Sequence, residues 1–238
     1  NGNIKNAALL GFLPGRIARA ADISLEETQK RLEEEGCTTG YREVDGCAGE
    51  FPSGSGYYYG RRGAADDPAE KHSGGIMVLG SGPIRIAQGV EFDYCCVKAV
   101  EALRSRGIRA IMMNVNPETV STDHDISDAL YLEPLTAEDA LPILEREEAA
   151  GVFACFGGQT SLRLGLDLAE EGIKLFGPTA EVIDAAEDRG KFSRLLSKIG
   201  VPEPEGVDVA SVDEALAVAR RLGYPLMVRP SFVIGGVA

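Results

Sequence analysis

From residue 76 onward, short apolar runs alternate with stretches in which apolar residues recur every three or four positions. Residues 76–79, 110–115, 130–132, 152–156 and 174–176 read as strands. Residues 93–105, a segment opened by Thr136, and 161–171 read as helices between them. Such alternation implies α/β architecture: a parallel sheet with helical cover, in which ligands sit beyond the carboxyl ends of the strands. Three of those ends carry the Gly80-Ser81-Gly82-Pro83 turn, the Asn116-Pro117 turn and the Gly157-Gly158 turn.

On either side the texture changes. Residues 1–40 read as short helices, with Ser24-Leu25-Glu26-Glu27 in the form of a capping box. Residues 41–75 show little periodicity and many glycines, and read as an extended connector. Tyr57-Tyr58-Tyr59 reads either as docking it onto a neighbouring surface or as an exposed aromatic run in a disordered tail. Residues 76–178 form the α/β domain. After Thr179 the pattern turns to helices over 180–186, 188–198 and 212–222, the last with a capping box from Ser211 and Glu214. A strand at 226–228 leads into Arg229-Pro230-Ser231-Phe232 and Gly235-Gly236, the opening of a further domain over 179–238. The start at Asn1 and the end at Ala238 read as cut ends of a longer protein.

Composition narrows the function classes. The 238 residues are 44% hydrophobic and carry a formal net charge of -13, which repels a nucleic-acid backbone. No run approaches the roughly 20 apolar residues of a membrane span, and a cytoplasmic protein is expected. Cys37, Cys47, Cys95, Cys96 and Cys155 show no paired spacing and read as reduced structural thiols. His72 and His124 are isolated, too few for a zinc site.

Common motifs fail on particular residues. A dinucleotide fingerprint beginning at Gly80 and Gly82 places Arg85 where the third glycine belongs. There is no G-x-x-x-x-G-K-[ST] phosphate loop, and Ser81, Ser161 and Ser231 have no histidine placed as a base.

A longer series of motifs remains. Gly80-Ser81-Gly82-Pro83-Ile84-Arg85-Ile86, Gln88-Gly89 and Glu91-Phe92-Asp93-Tyr94 are followed by Asn114-Val115-Asn116-Pro117-Glu118-Thr119 and Phe156-Gly157-Gly158-Gln159-Thr160. Ala186-Glu187-Asp188-Arg189 with Phe192, and Val228-Arg229-Pro230-Ser231-Phe232 with Gly235-Gly236, complete it. In this order and spacing the motifs resemble the carbamoyl-phosphate synthase large-subunit family. Cys95-Cys96 is similar to the second half of that subunit. Tyr41-Arg42-Glu43-Val44-Asp45 resembles the connector leading out of its oligomerisation domain. Ala87 stands where the family has glycine, and residues 52–63 depart from its usual connector.

The resemblance implies a Rossmann-like pre-ATP-grasp domain, preceded by the end of the oligomerisation domain and followed by the beginning of an ATP-grasp domain. It implies an ATP-dependent ligase whose second half phosphorylates carbamate for arginine and pyrimidine synthesis. The carbamate arrives from the first half through an interior tunnel. Arg189 and Arg229 match arginines at the nucleotide phosphates, Gly235 and Gly236 the loop that covers them, and Glu91 and Glu118 carboxylates lining the tunnel. For Arg189 the competing reading is a salt bridge in its acidic setting, and for Glu91 a helix N-terminal carboxylate. ATP with Mg (or Mn in its place) belongs to the whole protein, with the metal ligands and catalytic residues outside these 238 residues. The implied partners are the rest of the large subunit and a glutaminase small subunit, and the fragment alone is expected to be inactive. Two rival readings are a non-catalytic scaffold and a different ATP-grasp ligase related to biotin carboxylase. Glu91-Phe92-Asp93-Tyr94 and Asn116-Pro117-Glu118-Thr119 argue against the second.

Overall fold

The structure, a computed structural model, describes residues 2–52, 54–65, 74–84 and 88–228. The chain divides into two compact units, Asn1–Pro178 and Thr179–Ala238.

The first unit opens with three helices, α1 (Gly2–Leu9), α2 (Pro14–Ala21) and α3 (Leu25–Glu34). Pro14 occupies the first turn of α2, where no backbone donor is missed. Ser24 caps α3 by accepting the Glu27 N–H at 3.0 Å. The Glu27 side chain pairs with Arg31 rather than turning back to complete the box. Ile4, Ala8, Ile17, Leu32 and Cys37 make a small core for these helices. Glu138 ties the module to the rest of the unit by accepting the Gly15 N–H at 3.1 Å.

Among the described residues six strands form one sheet in the order β1-β2-β5-β4-β3-β6. They are β1 (Thr39–Glu43), β2 (Tyr57–Arg62), β3 (Ile76–Leu79), β4 (Ala110–Asn114), β5 (Ala129–Leu132) and β6 (Val152–Phe153). β1 and β2 are antiparallel, and every other pairing is parallel. The helices α4 (Phe92–Arg104), α5 (Ala137–Arg146) and α6 (Gln159–Glu170) follow β3, β5 and β6. β3 and β4 are buried along their whole length, as strands covered on both faces must be. Alternation splits them between two cores. Met77, Leu79, Ile111 and Met113 pack with Ile143, Leu164 and Leu168 of α5 and α6. Ile76, Val78, Ala110 and Met112 pack with Cys96, Val100 and Leu103 of α4. The mixed α/β fold with a mostly parallel sheet is the one expected.

The supposed connector contributes β1 and β2 to the sheet. Its periodicity is weak because the ribbon is held by aromatic and charged groups rather than by an aliphatic stripe. Tyr58 stacks on Tyr131 of β5 with ring centroids 5.2 Å apart, and Tyr41 meets the same ring edge-on at 5.3 Å. The Arg146 guanidinium lies over Tyr41 and Tyr58 at 5.5 and 5.7 Å and donates to the Tyr131 hydroxyl at 3.2 Å. That hydroxyl donates in turn to the buried Glu147, which is ion-paired with Arg109. Arg62 of β2 lies 3.8 Å from Asp139 at the start of α5. Glu133 accepts the Gly60 N–H, and a Cβ at Gly60 would stand 2.8 Å from that carboxylate oxygen.

Shorter strands than expected end the sheet. β6 stops at Phe153, and the 174–176 segment makes a single parallel bridge, Val152 to Leu175.

The second unit holds α7 (Ala180–Glu187), α8 (Arg189–Ile199) and α9 (Val212–Leu222), each started by a side-chain cap. Thr179 accepts from Val182, Asp188 from Lys191 and Ser211 from Glu214. Glu214 reaches back to the N–H of Ala210 at 2.9 Å, one residue before the expected position. The strand expected at 226–228 is not formed: no described residue pairs with it, and Met227 is 93% exposed. Arg229, Gly235 and Gly236 lie outside the described residues.

Burial pushes the Tyr131 and Tyr41 phenols well above their ordinary 10.0, with Glu147 adding at Tyr131 and Glu133 and Asp139 at Tyr41. Above pH 10 the unfolded chain loses these protons while the folded one keeps them, so stability falls as pH rises further. Replacing Tyr131 with Phe should cost about 1–3 kcal/mol at neutral pH, because Glu147 loses a donor. The alkaline decline should also become shallower; urea titrations at pH 8 to 11 would measure both.

Candidate functional site

β3, next to the edge strand β6, is the strand at which the connections diverge: β4 lies on one side of it and β6 on the other. A crevice opens beyond the carboxyl ends of strands at such a reversal. The sequence places glycines there so that backbones can close on one another. A Cβ on Gly157 would stand 2.5 Å from the Gly80 carbonyl oxygen, and one on Gly80 would stand 2.4 Å from Asn114 Cγ. Gly82, at φ +69°, lies beside Leu135 and Thr160.

Asp93, in the first turn of α4, is the hub of this edge and is fully buried. Its Oδ1 accepts the Ser81 N–H at 3.3 Å, Asn114 Nδ2 at 3.1 Å and the Ser121 hydroxyl at 3.1 Å. Its Oδ2 accepts the Thr119 hydroxyl at 2.7 Å. Asn114, the last residue of β4, completes the net. Its Oδ1 accepts the N–H groups of Gly82 at 3.0 Å and Val115 at 2.9 Å, and its Nδ2 also donates to Ser121 at 3.0 Å. Four neutral donors and the N-terminus of α4 thus stabilise one buried negative charge. The turn after β3, the loop after β4 and the start of α4 are bound into one piece.

The Ser81 hydroxyl is buried there with no hydrogen-bond partner among the described residues. A buried hydroxyl without a partner among the described residues keeps its donor and acceptor capacity.

Glu91 and Glu118 stand at the rim of this net, both exposed. Glu91 is the residue before α4, two positions ahead of Asp93, and Glu118 directly precedes Thr119. The hydrogen bond between Thr119 and Asp93 therefore brings their two loops together. The Glu91 side chain makes no cap hydrogen bond to the helix it precedes. Glu118 donates its backbone N–H to Asn116 Oδ1 at 3.0 Å.

Arg189 belongs to the second unit, as the exposed first residue of α8. The neighbouring Asp188 carboxylate is engaged in capping α8. Among the described residues no three His, Cys, Asp or Glu side chains gather so as to hold an ion. Both Asp93 oxygens are already taken by hydrogen-bond donors, so a magnesium ion does not fit the residues present at this edge.

All five cysteines are free. Burial pushes the Cys96 thiol far up, Asp93 adding to the effect, and its Sγ donates to the Leu79 carbonyl at 3.5 Å. That thiol is packing, not a nucleophile. No helix among the described residues is long and apolar enough to cross a membrane.

Comparison with known proteins places the chain among relatives. Residues 72–185 match the family model described as the carbamoyl phosphate synthase preATP-grasp domain. Residues 188–238 match the carbamoyl-phosphate synthase L chain, ATP binding domain. The carbamoyl phosphate synthase large chain of Gemmatimonas aurantiaca is 46% identical over 229 residues, 96% of this chain and 21% of that protein. The large chain of Methanothermobacter thermautotrophicus is 47% identical over 233 residues, 98% of this chain and 22% of that protein. The chain thus spans about a fifth of the length of these relatives. Among solved structures, the biotin carboxylase domain of Hydrogenobacter thermophilus 2-oxoglutarate carboxylase aligns with a TM-score of 0.48 and 20% identity. That alignment covers 63% of this chain and 33% of the other. N5-carboxyaminoimidazole ribonucleotide synthetase from Thermus thermophilus gives 0.46 and 20% over 63% of this chain and 37% of its own.

The close approach of Gly80 to Asn114 makes a direct prediction. Gly80→Ala forces the Asn114 amide out of the Asp93 net and should destabilise the first unit by about 1–3 kcal/mol. Gly107→Ala is the comparison, since its added methyl meets nothing within 4 Å and only its φ of +71° is unfavourable. Urea melts of the two variants should rank Gly80→Ala below Gly107→Ala.

Proposed function

Because the chain belongs to the carbamoyl-phosphate synthase large-chain family, we propose that it forms the entry to the half of such a protein that phosphorylates carbamate. The observation that carries this reading is the Asp93 net, which joins the segments of two exposed carboxylates, Glu91 and Glu118, at the carboxyl ends of the strands where the connections reverse. In the whole protein a carbamate oxygen attacks the γ-phosphorus of ATP, the bond to the ADP oxygen breaks, and carbamoyl phosphate and ADP leave. Glu91 and Glu118 line the path of the carbamate, their oxygens accepting its N–H groups and keeping it oriented before transfer.

Arg189 and Arg229 serve the nucleotide phosphates, where a planar guanidinium fork binds two oxygens at once. Gly235 and Gly236 let backbone approach the same phosphates. Magnesium supplies charge neutralisation at those phosphates and is held by residues beyond those described. The remainder of the large chain and a glutaminase small subunit complete the cytoplasmic enzyme, whose product enters arginine and pyrimidine synthesis. Phosphoryl transfer depends on positioning by the whole ATP-grasp domain, so the 238-residue chain alone is inactive.

Two assays test this. The full-length large chain, supplied with ammonia, bicarbonate and MgATP, should release carbamoyl phosphate, and Glu91→Gln or Glu118→Gln should lower that output more than they lower ATP consumption. The 238-residue chain given carbamoyl phosphate and MgADP should form no ATP. ATP formed by the short chain would overturn its assigned inactivity. A full-length protein that makes no carbamoyl phosphate would return the scaffold reading.

A further inference from the structure

Asp93 has a task that its place in a sequence motif does not specify. Its carboxylate is buried, out of reach of solvent, and both oxygens are occupied by Ser81, Asn114, Ser121 and Thr119. Buried in this way, it is not open to a passing intermediate. What it does have is a bond to each segment that carries a rim carboxylate. Glu91 lies two residues before it on the same turn, and Glu118 lies one residue before Thr119, whose hydroxyl it holds at 2.7 Å. A further hydrogen bond fixes the Ser81 backbone, and with it the turn whose hydroxyl has no partner among the described residues.

We propose that Asp93 is a positioning residue: by binding the turns after β3 and β4 to the first turn of α4, it sets the relative placement of Glu91, Glu118 and the Ser81 hydroxyl. The inference deepens the proposed function and rests on it. Carbamate is unstable in water: the water oxygen adds to its carbon, the carbon–nitrogen bond breaks, and a proton passes to the departing nitrogen, giving bicarbonate and ammonia. A path whose polar contacts are misplaced by a fraction of a bond length loses intermediate to this reaction even when the protein stays folded.

The readout follows from that competition. The ratio of ATP consumed to carbamoyl phosphate released measures leakage, and it does not depend on how much of the protein is folded. In the full-length large chain, Thr119→Val removes the hydroxyl that reaches Asp93 while keeping the shape, and the ratio should rise. Thr119→Ser keeps the hydroxyl and should leave the ratio at its original value. Ser121→Ala removes a second donor to Asp93 and should also raise the ratio, which serves if Thr119→Val does not accumulate. Ile143→Val, in the opposite core, should lower thermal stability without moving the ratio.

An unchanged ratio in both Thr119→Val and Ser121→Ala, with carbamoyl phosphate still being made, would overturn the positioning role and leave the function standing. If the unaltered full-length protein makes no carbamoyl phosphate, the function and this inference fall together.

Discussion

A carboxylate removed from water must recover in the protein the interactions it gave up, or the fold cannot keep it charged and buried. Asp93 recovers them from neutral donors drawn from separate segments of chain. That arrangement binds the carboxyl edge together. A salt bridge would join Asp93 to one partner, whereas distributed donors join it to the turn after β3, the end of β4 and the loop that follows. Asn114 repeats the pattern with its amide, accepting N–H groups on one side and donating on the other. The glycines at 80 and 157 are the steric condition for this net, since a Cβ at either position would occupy space held by Asn114 or by backbone.

The lateral edge of the sheet formed by β1 and β2 is organised by different forces. The β1–β2 ribbon adheres through three tyrosine rings, two of them under the Arg146 guanidinium, and through the half-buried Glu133 and the buried Asp139 and Glu147. Burial holds Glu133 and Asp139 above the usual carboxylate range, and Arg62 opposes the shift at both. This ribbon was illegible in the sequence for a physical reason. Hydrophobic alternation is the signal by which a strand is read, and here tyrosine, arginine and glycine do the packing. Tyr57-Tyr58-Tyr59 is compatible in sequence with docking or with an exposed aromatic run, and the structure shows strand pairing with β5.

The parallel strands and their helices were legible because aliphatic runs and helical spacing dominate them. The candidate site was legible through its motifs. Glu91 and Glu118 came from motif resemblance, and the structure adds that their loops are hydrogen-bonded neighbours. The motif around Asp93 gives that residue no role of its own, although a signal is present in the sequence. It shares the inward face of α4 with Cys96, Val97, Val100 and Leu103, and an acidic residue at the head of an apolar face is a buried charge in need of donors. The second unit shows the reverse case. Its helices follow their caps closely, yet α8 and α9 bury no residue, and Phe192, Leu195, Ile199 and Leu216 remain exposed. Capping and spacing are local, so they report helices faithfully without saying what covers them.

The distribution of carboxylates along this edge follows from what each can still bind. A carboxylate that accepts several strong hydrogen bonds fixes geometry but has spent its acceptor capacity on the protein. One that remains exposed can receive N–H groups from a small polar molecule, yet by itself it has no fixed place. Asp93 is of the first kind, Glu91 and Glu118 of the second. Their spacing in sequence, two residues on one segment and a neighbour of the bonded threonine on the other, lends the rigidity of the buried group to the exposed ones. Separating the two duties avoids a conflict that a single residue could not resolve, since saturating a carboxylate and keeping it available are mutually exclusive demands.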